Sequence, residues 1–143
     1  MNTHHDNDFY GWTQEQAELL RNGRLSELDT QNLLEEIESM GRSERRELQS
    51  RLEKLFMHLL KWQYQPGRQS RSWKLTIEEQ RRKVADVLSD NPSLRPGLPG
   101  LIEKAYKYAT LSAERETGIV RSVFPATCPW SFEQAMEDSF WPE

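Results

Sequence analysis

LQSRLEKLFMHLLKW, residues 48–62, decides the fold. Leu48, Leu52, Leu55, Leu59 and Trp62 step by 4, 3, 4 and 3. That spacing lines one side of an α-helix and makes the seam of a bundle. Phe56 and Leu60 widen the seam. Ser43 is the natural start of this helix and Pro66-Gly67 its stop, which predicts a long helix over 43–64.

Working outward toward the start of the chain, Gly41 reads as a C-terminal stop and Asp29 as an N-cap. They bracket a helix to Met40 whose apolar positions are Leu33, Leu34, Ile37 and Met40. Thr13 with Gln16 reads as a capping box for a helix over 13–22, closed by Gly23. Residues 1–8, MNTHHDND, carry no periodicity and are expected to be a flexible, frayed tail. His4 and His5 lack the further ligands of a metal site.

Toward the other end, a helix is predicted over 73–89, with Ile77, Val84, Val87 and Leu88 inward and Asn91-Pro92 as its stop. Another spans 98–117 with Leu101, Ile102, Ala105, Ala109 and Ala113 along one side, and Gly118 ends it. Residues 119–130 read as a loop. Ser131 with Gln134 caps a short last helix over 132–139. No alternating strand, internal repeat or low-complexity segment occurs. The expectation is one all-α domain over 9–143. Three long helices form the bundle, an N-terminal helical pair lies against it, and a short C-terminal helix follows.

The chain has 143 residues and a formal net charge of −4, enough length for a domain of ordinary size. No apolar run approaches the roughly 18 residues of a membrane span, and no secretory signal pattern opens the sequence. Cys128 is the single cysteine, so no internal disulfide framework is available and a cytoplasmic location is expected. The charge is blocked along the chain: net −7 over 1–41, +7 over 42–83 and −4 over 84–143. Helices so charged are expected to neutralise one another on folding rather than to wait for an anionic partner.

Five side chains make the candidate polar cluster: Glu35, Glu38, His58, Lys61 and Arg81. Glu35 and Glu38 share a helix face. His58 is the sole histidine outside the tail. A hairpin centred near residue 42 would leave His58 roughly 14–18 Å from the glutamates at about 1.5 Å per residue, too far for shared metal ligation. Arg81 falls inside the apolar stripe between Ile77 and Val84, so it needs a partner, and Glu35 or Glu38 is the expected one. The basic block could touch phosphates, yet Glu78 and Glu79 interrupt it and no recognition helix is identifiable. Cys128 has no base placed near it and reads as a packed thiol under Trp130. No catalytic residue, cofactor or metal is assigned.

DFYGWTQEQAELLRNGRLSELD at 8–29, NLLEEIESMGRSERREL at 32–48, HLLKWQYQP at 58–66, SWKLTIEEQR at 72–81, NPSL at 91–94 and FPATCPWSFEQ at 124–134 together resemble the domain-of-unknown-function 29 family. Glu35, Glu36, Glu38, His58, Lys61, Trp62, Trp73 and Arg81 fit its pattern. The resemblance implies an all-α fold and a bacterial cytoplasmic setting, and it brings no activity, cofactor or partner. The function expected is a non-enzymatic interaction module, as a homodimer or with another protein. The alternatives are an enzyme or a ligand- or metal-binding bundle using the polar cluster, and nucleic-acid contact through residues 51–83.

Overall fold

Gly41 does not stop a helix. In the computed structural model, which describes residues 4–143, one helix of 35 residues, α2, runs Thr30–Tyr64. The hairpin expected near residue 42 is therefore absent. One interior glycine costs a helix only about 1 kcal/mol, and the flanking SERREL residues are mostly good helix formers. A glycine stop also needs left-handed backbone, and Gly41 does not have it: the described residues with positive φ are Gly23 and Gly118.

The protein is all-α, with no strand among the described residues. Helix α1 spans Phe9–Arg21, α3 spans Arg71–Asp90, α4 spans Leu98–Thr117 and α5 spans Phe132–Met136. Short 3₁₀ segments connect them, the longest being Pro92–Gly97. Asp8, not Thr13, caps α1, accepting from the Gly11 N–H at 3.0 Å. Thr13 lies inside the helix and its hydroxyl donates to the Tyr10 carbonyl. Ser43, the expected start of a helix, lies inside α2, while the N-caps expected at Asp29 and Ser131 form. Asp29 accepts the Asn32 N–H, and Ser131 accepts the Gln134 N–H at 3.0 Å. Ser70 caps α3 through the Trp73 N–H, so α3 starts two residues before its expected start. Gly118, at φ +78°, closes α4.

The chain divides into two compact units, Met1–Ser43 and Glu44–Glu143. The second holds the bundle core. Leu48, Leu52, Leu55, Phe56, Leu59 and Leu60 of α2 are buried in one cluster with Ile77, Val84 and Leu88 of α3 and Leu101, Ala105, Ala109 and Ala113 of α4. Alanines every fourth residue keep that side of α4 free of bulk. Residues 119–143 do more than a loop would. Phe124, Trp130 and Ala135 are buried in the same cluster. Trp130 packs 6.1 Å from Phe56 and edge-on to Tyr106 at 6.4 Å, centroid to centroid. The Tyr106 hydroxyl donates to the Pro125 carbonyl at 2.7 Å, which anchors the segment to α4.

The first unit is built differently. Its only buried side chains among the described residues are Trp12 and Gln16. Trp12 Nε1–H donates to Asp29 Oδ2 at 2.9 Å, and Gln16 Oε1 accepts the Asp29 N–H at 2.8 Å. Of the stretch expected to fray, residues 1–3 lie outside the described residues. Residues 4–8 form a turn whose His5 is held by α2, its Nε2 2.6 Å from Glu36 Oε1. The His5 ring also packs edge-on to Phe9 and Trp12.

Candidate functional site

The five polar candidates are divided between the two units. Glu35 and Glu38 belong to the first unit and His58, Lys61 and Arg81 to the second. Both glutamates are exposed and neither has an ion pair among the described residues.

His58 and Lys61 lie one helical turn apart on α2 and are both buried. His58 Nδ1 is 3.0 Å from the Lys54 carbonyl oxygen. A carbonyl only accepts, so Nδ1 carries the proton. Burial lowers the pKa of His58, helped by the nearby Lys61 charge, and the ring is neutral at pH 7. Lys61 Nζ reaches Glu116 Oε1 on α4 at 3.1 Å and sits 4.7 Å from the Trp73 ring centroid. A buried ammonium needs such a counter-charge. The arrangement ties α2 to α4.

Arg81 is buried as expected, but its partner is not a glutamate. Its Nε–H donates to the Ala135 carbonyl at 2.8 Å, Nη1–H to Asp138 at 3.4 Å and Nη2–H to Phe140 at 2.7 Å. The guanidinium lies 5.3 Å from the Trp141 ring centroid, within cation–π range. Trp141 in turn packs 4.8 Å from Trp62. The expected Arg81–glutamate pair is thus replaced by a fork holding the C-terminal segment. Its planar donors meet carbonyls left over where α5 ends after one turn. Burial lowers the Arg81 pKa, opposed by the Asp138 and Glu137 charges.

Three cations of the basic block pair within their own helices. Arg51 pairs with Glu47, Arg82 with Glu78 and Lys83 with Glu79, each one turn away. These pairs run along helices, while Lys61–Glu116 joins α2 to α4. Among the described residues, no three or more His, Cys, Asp and Glu side chains gather to hold a metal ion. Cys128 edges a cavity of about 380 Å³ lined also by Pro99, Ile102 and Tyr106. Its Sγ lies 3.5 Å from the Trp130 carbonyl, and burial pushes the thiol pKa up. That is the opposite of what an attacking thiolate requires.

What the polar candidates left unmarked is the apolar side of α2 in the first unit. Leu34, Ile37 and Met40, read as apolar positions of one helix, are 57%, 60% and 61% exposed. With Leu33 they occupy an arc of about 120° on the helix. Phe9, Tyr10, Leu20 and Leu25 of the same unit are exposed as well. The signal was legible in part: an apolar stripe on a short helical pair has too little neighbouring chain to cover it.

Fold and site thus define an all-α protein with a packed aromatic-rich bundle and an acidic N-terminal unit that leaves several of its apolar residues exposed. The chain matches the domain of unknown function DUF29 over residues 4–141 and belongs to that family. No curated protein and no solved structure matches it.

Proposed function

We propose that this protein is a non-enzymatic interaction module and that its N-terminal unit is the part that engages a partner. The observation that carries the reading is the exposure of Leu34, Ile37 and Met40 on one helix face. Contiguous apolar surface that a fold leaves uncovered marks interaction sites. The rest of the molecule supports the same reading. Its polar side chains of chemical interest are spent on structure: Lys61 on Glu116, Arg81 on three carbonyls and Cys128 on the Trp130 carbonyl. The setting we propose is the bacterial cytoplasm, supported by the unpaired Cys128 and by the family resemblance. No helix among the described residues is long and apolar enough to cross a membrane.

The test is affinity purification from the native host with the full chain, run beside Ile37→Glu in the first unit and Tyr108→Glu in the second. Both positions are exposed, so both variants keep the wild-type helical signal. A partner retained by wild type and by Tyr108→Glu, and lost with Ile37→Glu, is the expected result. Equal retention by all three proteins refutes the assignment to the N-terminal unit.

A further inference from the structure

Charge selects the kind of partner that the apolar face of α2 accepts. This inference rests on the interaction reading above and names the occupant. Residues 1–43 hold nine acidic and three basic side chains, net −6. Two of the three cations are already paired on their own helical turns, Arg21 with Glu18 and Arg24 with Glu27. Carboxylates border the stripe of Leu34, Ile37 and Met40 on both sides. Glu38 lies about 40° beyond Leu34 around the helix and Glu35 about 100° beyond it. Both are exposed, with no ion pair among the described residues. On the other flank stands Glu36, bonded to His5.

We propose that this face docks a basic amphipathic helix of another protein. The partner's apolar side covers Leu34, Ile37 and Met40, and a Lys or Arg beside that side meets Glu38. A helix laid on an apolar helix face is a recurring mode of recognition, and complementary flanking charge sets both encounter rate and partner choice. A second copy of this chain meeting it symmetrically fits less well, because it would set two units of net −6 against each other. The buried apolar residues supply affinity, and the unpaired glutamates supply the sign of the partner.

The experiment uses the full chain and two synthetic amphipathic peptides of about 18 residues, long enough to form helix on docking. They share one leucine stripe; one has Lys and Arg flanks, the other Glu flanks. Binding is followed by fluorescence anisotropy at low and moderate salt, with sedimentation of the protein alone alongside. The basic peptide is expected to bind at least about tenfold tighter than the acidic one, and to weaken as salt screens the exposed charges. Ile37→Glu is expected to lose about tenfold or more, the scale of leaving one large side chain uncovered. Glu38→Lys, which leaves the stripe intact, is expected to weaken the basic peptide and strengthen the acidic one. Equal binding of the two peptides, or binding of neither, overturns the basic-helix inference. So does a dimer that Ile37→Glu dissolves. A host partner lost with Ile37→Glu alongside a silent basic peptide defeats this inference alone, whereas a partner indifferent to Ile37→Glu defeats the interaction reading too.

Discussion

Alanine at Gly41 distinguishes a continuous α2 from a hairpin by the sign of one measurement. In α2 the position is exposed, and a Cβ added there meets nothing within 4 Å. Its backbone is outside the left-handed region. Alanine therefore gains helix propensity without a clash, about 0.8–1.0 kcal/mol. Gly118 is the internal control. It also has open space for a Cβ, but its φ is +78° and its N–H closes α4 on the Glu114 carbonyl at 2.8 Å. A side chain forced into that conformation costs about 1–2 kcal/mol. For a chain of this size 1 kcal/mol moves Tm by about 3 °C. Gly41→Ala should then rise by about 3 °C and Gly118→Ala should fall by about 3–6 °C in thermal unfolding followed by far-UV circular dichroism. Amide exchange adds the local reading: residues just after 41 should become better protected in Gly41→Ala. A loss of stability in Gly41→Ala, of the kind seen at Gly118, would mean that Gly41 is a left-handed stop, and the continuous helix would be refuted.

Two further outcomes follow from buried polar groups and from the histidines. Arg81→Ala should destabilise the second unit by about 2–4 kcal/mol, because it strands carbonyls that the guanidinium satisfied and unseats Trp141; urea unfolding with tryptophan emission reads both, and an unchanged midpoint with unchanged emission defeats the fork. His5 and His58 should titrate on opposite sides of the ordinary histidine value. The bond to Glu36, then that to Asp6, raises His5, so its contribution is full below its unfolded pKa and fades as pH rises through the higher folded one. Burial lowers His58, so its contribution is full above the unfolded pKa and is lost as pH falls through the lower folded one. Histidine ring signals followed by NMR against pH check the order, and His58 titrating above His5 would contradict it.

The bundle was legible because its evidence is periodic. Leu48 to Leu60, Ile77 with Val84 and Leu88, and the alanines of α4 repeat at helical spacing, and nearly all are buried where that spacing put them. Trp62 and Val87 are only partly buried at the rim. Punctuation was legible where a single strong signal acts: Asn91-Pro92 ends α3, and Gly118 ends α4. Gly41 misled because glycine carries two meanings, a helix stop and a mildly costly interior residue, and local sequence does not choose between them. Arg81 shows a similar limit. Its place in an apolar stripe announced a buried cation in need of acceptors, but three carbonyls some 55 residues away leave no mark in side-chain identity.

Sequence alone therefore determined the helical class, most of the caps, the core positions of the bundle helices and the need of Arg81 for partners. These depend on neighbours within a few turns, and on the cost of burying a charge unpaired. Tertiary structure decided what Lys61 and Arg81 meet, because Glu116 and the carbonyls of Ala135, Asp138 and Phe140 reach their cations only through chain folding. It also decided the fate of the first apolar stripe. Periodicity states that Leu33, Leu34, Ile37 and Met40 share a face; only the packing of the whole chain determines whether anything covers it, and Leu34, Ile37 and Met40 remain in water.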